Sequence, residues 1–412
     1  MSLVFRRIFV DEIPQFLETL GTALGLGFGP GYAERFAEFA DLDRLQVALD
    51  GTQMVATFGA YSLQLTAPGG PLPMAGTTVV TVLPTHRRQG ILRRMMHDHL
   101  HEAHQRGELL AGLWASEGNI YGRFGYGIAS ERVRWRIPKP FATLHPHPAA
   151  SSDGRFQLLD DVEAAQALPG IYEQLVTCRL GLFGRSPRWW QHRFFGDPPV
   201  VPPGQGARRH VVFQGSSGAQ GYAVYRTRRI DLESALTVVV GEVMATSEAA
   251  EYRIWQYLFD IDLVEAIEIW SLPVDHSLRW WLRDIRKVDR WLLDAMWLRV
   301  IDVGQALSRR CYGSAGELTL RIHDPLCPWN DGLFRLAVSA EEGAVCESIA
   351  PNSTGQDPDL ECDVDALGST FLGGFRWTDL AQAGRVRGSL RGLLLADQLF
   401  AWHQAPWTAE RF

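Results

Sequence analysis

The loop Pro84-Thr85-His86-Arg87-Arg88-Gln89-Gly90 joins an apolar run (Val79, Val80, Val82, Leu83) to a stretch in which Ile91, Leu92, Met95, Met96, His99 and Ala103 recur at helical spacing. The loop therefore delivers backbone N–H groups to a helix N-terminus, where unpaired donors and the helix dipole favour an anion. Gly90 lets a ligand approach the backbone, and Arg87 and Arg88 add charge-assisted donors suited to phosphate oxygens. Such a loop suits a pyrophosphate; a solvated basic turn between a strand and a helix has the same composition. A second block, Ala115-Ser116-Glu117-Gly118-Asn119-Ile120-Tyr121-Gly122-Arg123-Phe124-Gly125-Tyr126-Gly127, sets two phenols among glycines. A phenol of pKa about 10 can donate a proton to a departing anion, and an aromatic in such a turn can equally be a plug. Tyr121 and Tyr126 are rival acids that spacing alone does not separate.

These residues need a sheet to hold them. Helices are expected at Asp11 to Leu24 and Tyr32 to Ala40, strands at Leu45 to Leu49 and Met54 to Leu65, then the strand, loop and helix described above. Leu109 to Ala115 is another apolar run, Gly118 to Phe124 a short helix or turn, and Ile128 to Ile137 an alternating strand, with Pro138, Pro140, Pro146 and Pro148 marking the exit. A second segment repeats the rhythm. Strands are expected at Phe156 to Leu159, His210 to Phe213, Tyr222 to Arg226, Leu236 to Met244, Ile267 to Leu272 and Trp291 to Leu298, with a helix from Glu248 to Phe259. Its counterpart loop, Ala245 to Glu251, has two carboxylates, no arginine and no glycine, and would repel a pyrophosphate. The third segment reads as a helix at Gln305 to Arg310, strands at Glu317 to Ile322, Leu333 to Val338 and Ala344 to Ser348, and helices at Val364 to Phe371, Thr378 to Ala383 and Leu390 to Trp402.

At 412 residues the chain exceeds one ordinary core, and its 46% hydrophobic and 21% charged residues are those of a globular protein. No apolar run approaches the roughly 20 residues that span a bilayer, and no signal-peptide pattern opens the chain, so membrane insertion is not expected and a cytoplasmic location is. The net charge of −7 argues against nucleic acid. Five cysteines, odd in number and without a Cys-x-x-Cys pair, read as reduced, mostly buried thiols. No metal is expected: His97, His99, His101 and His104 crowd one helix, and His97 with His101 has the i,i+4 spacing of a metal pair, but that pair lacks the intervening glutamate of a zincin. Gly25-Leu26-Gly27 fails as a dinucleotide fingerprint because Pro30 takes the place of the third glycine, and Arg123-Phe124-Gly125-Tyr126 has the wrong order for an RNA-binding motif. Of Trp189-Trp190 and Trp280-Trp281, one tryptophan of each pair is expected in the core and the other at an interface.

Arg87-Arg88-Gln89-Gly90-Ile91-Leu92 resembles the acetyl-coenzyme A signature of the GNAT acetyltransferases, Arg/Gln-x-x-Gly-x-Gly/Ala, with Leu92 at the last position. On that resemblance a pantetheine arm would slot between two splayed strands, bonded by Val80 and Val82 on one side and Ser116 on the other, and Tyr121 would fall near the thioester sulfur. Thr85 to Arg93, Ala115 to Gly118 and Ile120 to Gly127, with their separation and the three-part layout, are together similar to the Eis (enhanced intracellular survival) family of N-acetyltransferases over the whole chain. The resemblance implies a mixed α+β fold. A GNAT domain (1–149) binds acetyl-CoA, a second, degenerate GNAT-like domain (150–298) does not, and a sterol-carrier-protein-like domain (299–412) ends the chain; an unrelated α/β fold is the alternative for the second. It also implies a homohexamer that acetylates amines, including several positions on aminoglycosides. The cosubstrate contacts it implies are Val80, Thr81, Val82, Arg87, Arg88, Gln89, Gly90, Ile91, Leu92, Arg93, Ser116 and Glu117. The family's base, the C-terminal carboxylate, maps to Phe412, with Tyr121 as general acid. An α-carboxylate of pKa about 3.5 is a poor match for an ammonium, so burial, a relaying water or an already neutral amine must narrow the gap. Arg411 sits beside that carboxylate, and a bulky or aromatic amine fits at least as well as an aminoglycoside, a polyamine or a lysine. The competing readings are an apolar-ligand carrier with the GNAT parts as scaffold, which would not bind acetyl-CoA, and a regulator that binds it without turnover.

Overall fold

The computed structural model describes residues 3–148, 154–196, 204–216, 218–229, 234–350 and 357–412. The chain divides into two compact units, one of Met1–Ser130, Asp294–Pro406 and Arg411–Phe412, the other of Glu131–Leu293 and Trp407–Glu410.

In the first unit a seven-stranded sheet runs in the order Leu3–Arg7, Gln46–Asp50, Gln53–Ala67, Gly70–Val82, Leu110–Trp114, Met296–Val300, Gly127–Ile128. The long hairpin Gln53–Ala67/Gly70–Val82 turns at Pro68-Gly69, where Gly69 has φ +100° and a side chain would strike Cys311. Gly70–Val82 and Leu110–Trp114 are parallel, so a crossover is required, and the helix Ile91–Gln105 supplies it. That helix buries Ile91, Met95, Met96, Leu100 and Ala103 in a core shared with Phe58, Ala75 and Ala111. A second sheet of this unit orders Gly343–Ile349, Gly332–Ser339, Gly316–His323, Leu360–Asp363 and Val386–Gly388, with helices Val303–Arg309, Val364–Thr370, Trp377–Gln382 and Leu390–Phe400. Two of those strands, Leu360–Asp363 and Val386–Gly388, are too short for the alternation that marks the other three.

The second unit repeats the plan. Its sheet runs Asp289–Asp294, Glu131–Pro138, Val264–Leu272, Leu236–Ala245, Gly218–Arg228, Arg209–Gly215, Arg155–Leu159, and its parallel pair, Leu236–Ala245 with Val264–Leu272, is joined by the helix Glu248–Asp260. The hydroxyl of Ser247 caps that helix by accepting from the Ala250 N–H. Residues 407–410 pack within this unit. The Trp407 indole donates to Ser271 Oγ at 2.9 Å and the Thr408 hydroxyl to the Gly181 carbonyl at 3.1 Å. Glu410 accepts from Arg185 Nε at 2.7 Å and from the Trp189 indole at 2.9 Å. Arg185 is itself buried against the Tyr172, Trp190 and Phe194 rings and also paired with Glu242, which compensates a charge that would otherwise be costly to bury.

Four expectations need correction. The strand read from Ile128 to Ile137 is two, Gly127–Ile128 in the first unit's sheet and Glu131–Pro138 in the second's. The strand read from Trp291 to Leu298 is likewise split into Asp289–Asp294 and Met296–Val300, which lie in different sheets. Alternation reports a half-buried pleat and not which sheet covers it, so two strands laid end to end read as one. The helix Asp161–Val176 was not foreseen: its buried Ala164, Leu168, Ile171 and Tyr172 have helical spacing, but Pro169 in their midst reads as a break. Trp189 and Trp190 are both buried, 4% and 5% exposed, because a π-type turn directs both rings inward; of the other pair, Trp281 is in the core and Trp280 is exposed.

Candidate active site

The loop after Gly70–Val82 begins with a short turn at Pro84–His86, and Arg87, Arg88, Gln89 and Gly90 are exposed. Arg88 and Gly90 lie in the left-handed region, at φ +64° and +82°. A Cβ on Gly90 would meet nothing within 4 Å, so the backbone there is open to a ligand. No side chain caps the helix, and its ladder starts with Arg94 N donating to Gly90 O at 3.0 Å; the N–H groups of Ile91, Leu92 and Arg93 therefore have no acceptor within the helix. Arg87 Nε turns back to the Val82 carbonyl at 3.3 Å. Arg88 and Arg93 make no hydrogen bond or ion pair among the described residues. Free donors, open backbone and unpaired cations are what a pyrophosphate requires, so these residues fit the coenzyme.

The loop leads to a gap in the sheet. Gly70–Val82 and Leu110–Trp114 pair only over Met74↔Leu110, Ala75↔Ala111 and Gly76↔Gly112, and beyond Gly76 they separate. On the other edge a bulge at Val79, φ +47°, shifts the register against Gln53–Ala67. Leu83 N donates to Val55 O and Thr81 pairs with Thr57, so by antiparallel alternation the N–H and C=O of Val82 point toward the gap. The Thr81 hydroxyl lies 2.7 Å from that of Thr57, within the sheet.

Glycine-rich residues fold over this gap as a helical turn at Gly118–Tyr121 and a tighter one at Gly122–Phe124. Tyr121 is buried; burial raises its pKa, the neighbouring Ser116 side chain opposes that, and the charge of Glu117 adds to it. A phenol so placed stays protonated, as a donor must. Tyr126 is deeper, its ring 6.2 Å from that of Tyr121 and its hydroxyl 3.1 Å from Thr77 Oγ1. Thr77 in turn lies 2.9 Å from His99 Nε2. Burial, helped by the charges of Arg44, Arg7 and Arg299, lowers the His99 pKa to about 3, so the chain Tyr126–Thr77–His99 is neutral. Sequence reasoning missed this chain: spacing put His99 on the helix face, but nothing in the sequence pairs it with Thr77.

The chain terminus reaches the same gap. Phe412 is 8% exposed, and its ring carbon Cδ2 lies 3.2 Å from where a Cβ on Gly76 would stand. Arg411 lies over the Trp114 ring at 5.4 Å. Residues alternate faces along a strand, and Thr77 meets Tyr126 and His99 on the crossover-helix face, so Gly76 carries Phe412 on the opposite face. The gap thus has phenols on one side and the C-terminal residue on the other. Among the described residues no group of three or more His, Cys, Asp or Glu could hold a metal ion. None of their helices is long and apolar enough to cross a membrane.

Comparison with known proteins fits this geometry. GNAT acetyltransferase domain families match residues 4–129 and 181–300, and a sterol carrier protein domain family matches 303–409. A chain with two such folds, a sterol-carrier-type domain and a coenzyme-type loop in the first is a GNAT N-acetyltransferase. An uncharacterized N-acetyltransferase of Streptomyces coelicolor is 33% identical over 394 residues, 93% of this chain and 94% of that one. N-acetyltransferase Eis of Mycobacterium tuberculosis is 32% identical over 396 residues, 93% of each chain. The crystal structure of Eis1 from Mycobacterium abscessus superposes with a TM-score of 0.83 at 31% identity, covering all of both chains. The chain belongs to the Eis family of N-acetyltransferases. GNAT enzymes of this kind use acetyl-CoA and an amine acceptor.

Proposed function

We propose that this chain transfers acetyl from acetyl-CoA to a primary amine, aminoglycoside-like, polyamine or lysine-type, by direct attack of the amine on the thioester, with one working coenzyme site per chain. Acetyl-CoA supplies the activated acyl group. The N–H groups of Ile91, Leu92 and Arg93, with Arg87, Arg88, Gln89 and Gly90, hold its pyrophosphate; Val80 and Val82 on one strand and Ser116 and Glu117 on the other side hold the arm, whereas Thr81, expected among these contacts, turns its backbone and hydroxyl to Thr57 instead. The Phe412 α-carboxylate takes the proton that the attacking amine loses, and the Tyr121 hydroxyl protonates the departing thiolate, so one proton is removed and one delivered per acetyl moved. Seating the terminus at Gly76 keeps the carboxylate from fraying into solvent, as termini otherwise do. In this reading residues 1–149 are the catalytic domain, 150–298 a GNAT-like domain that has lost coenzyme binding, and 299–412 a sterol-carrier-like domain that supplies the base. The second loop's Glu248 and Glu251 and its Ser247 cap support that division, since they occupy and repel where a pyrophosphate would bind. A cytoplasmic homohexamer rests on the family alone.

The observation that carries the reading is the position of Phe412 at Gly76, where the two strands separate, across the sheet from the Tyr121 turn. Coenzyme A release measured with aminoglycosides, polyamines, arylalkylamines and lysine peptides tests it. Release with at least one amine, lost in a Tyr121→Phe variant that still binds acetyl-CoA, is expected; coenzyme binding without release for any of them would overturn it.

A further inference from the structure

The second unit's sheet splits as the first one's does. Its parallel strands Leu236–Ala245 and Val264–Leu272 pair from Leu236↔Val264 to Val240↔Ile269 and then separate. Residues 407–410 fasten to both strands past that last pair. The Trp407 indole donates to Ser271 on one strand, and Trp407 shares a cavity of about 260 Å³ with Val243, Met244 and Ala245 of the other. That remnant of the split is smaller than the roughly 300–1,000 Å³ of ordinary ligand pockets. Glu410 is tied to the same strand through Arg185, which donates from Nε to Glu410 and from both Nη atoms to Glu242. Glu242 is held in turn by the Tyr222 hydroxyl at 2.6 Å. Between these two anchors the Trp407 N–H donates to the Leu180 carbonyl at 3.0 Å, and Trp407 and Ala409 lie in a core with Leu182, Trp190 and Met244. Gly181, at φ +89°, permits the close pass: a Cβ there would stand 2.6 Å from Trp407 N.

We propose that the second fold is a receptor for the chain's own C-terminal segment, and that Glu410, clamped by Arg185 and Trp189, is a positioning residue for the terminal carboxylate. The catalytic part of this rests on Phe412 being the base. Two residues follow Glu410 to the terminus, so while Glu410 is fixed the terminus can stray from it by no more than about 7 Å. With that clamp removed, Thr408 becomes the last residue held by a side-chain bond in this unit, and the reach doubles to about 14 Å. Doubling a radius enlarges the explored volume about 8-fold and dilutes the carboxylate at the amine accordingly.

The test uses the full chain and two readouts. Carboxypeptidase A removes a C-terminal aromatic residue and stalls at arginine, so release of free phenylalanine reports how readily the terminus leaves its seat, without turnover. Coenzyme A release with the best amine of the panel gives kcat, and calorimetric titration gives acetyl-CoA affinity. In Glu410→Ala, phenylalanine release is expected to quicken and kcat to fall, each by at least about 5-fold, with acetyl-CoA affinity retained. Glu410→Gln keeps an oxygen acceptor at the same reach and should lie between Glu410→Ala and wild type. Thermal melting checks both folds, and Glu410→Gln decides alone if Glu410→Ala does not fold. Unchanged phenylalanine release in the folded variants would overturn the proposal. Faster release with wild-type kcat would uphold the anchor and refute Phe412 as the base, so the two failures are told apart.

Discussion

Gly76→Ala is the sharpest perturbation of the proposed base, because it adds one methyl group where the terminal ring rests. The new Cβ would stand 2.6 Å from Leu63 Cδ1 and 3.2 Å from Phe412 Cδ2. Apolar carbons settle at roughly 3.5–4.0 Å, so the ring must retreat by about 0.3–0.8 Å and the leucine by more. Overpacking of this kind costs about 1–3 kcal/mol, within the margin of a stable domain, so the protein should remain folded. Chemistry is less tolerant: a misplacement of about 1 Å costs about 100-fold, and a shift of part of that distance should lower kcat by roughly 10- to 100-fold. The acetyl-CoA KM should move little, since the pyrophosphate loop lies beyond the far end of the strand. The assay is steady-state coenzyme A release with the best amine of the panel, with melting temperature as a fold control. Leu63→Val combined with Gly76→Ala relieves the closer collision and leaves the ring contact, so the loss that persists in the double variant belongs to Phe412. A folded Gly76→Ala enzyme with wild-type kcat would refute the placement of the base at this strand.

Other outcomes follow from the same geometry. One residue added after Phe412 turns the carboxylate into an amide and moves the charge by up to about 3.8 Å, so kcat should fall by about 100-fold or more while acetyl-CoA still binds; full activity in the extended chain would rule out the terminal base. Tyr121→Phe should lower kcat with acetyl-CoA affinity retained, and Arg88→Ala should do the reverse; kinetics and direct coenzyme titration separate the two, and the opposite pattern would exchange their roles. His99 makes stability acid-sensitive. Its folded pKa of about 3 lies below the unfolded value near 6.5, so the unfolded chain binds more protons between those limits, and stability present above pH 6.5 falls by up to about 1.4 kcal/mol per pH unit as pH drops through the window. His99→Gln, which can still bond Thr77, should flatten that slope in urea unfolding measured from pH 7 to 4.5; an unchanged slope would mean that His99 is not the sensor.

Local chemistry explains which parts of this site could be read from the chain. The geometry of the loop proposed to hold the pyrophosphate was legible because its parts are contiguous: a strand, two arginines, a glycine with φ above zero and a helix start within a few residues. The second fold was legible for the same reason, since Leu236–Ala245 and Glu248–Asp260 keep the order of the first fold while Ser247 and Glu251 replace its anion-binding chemistry. The strand exchange was not, because the alternating Glu131–Pro138 and the wholly buried run Met296–Val300 carry patterns that either sheet can receive, and the choice is made by partners more than 100 residues away. The seat of Phe412 belongs to this second kind. Gly76 has no φ requirement and looks like any small strand residue; its lack of a side chain matters only once a ring from residue 412 lies against it. Resemblance to the family assigned a role to the terminus, but the strand position that receives it follows only from the fold. Position 76 therefore separates the two sources of inference: the family's motif blocks say nothing about it, and the packing makes it decisive for where the proposed base sits.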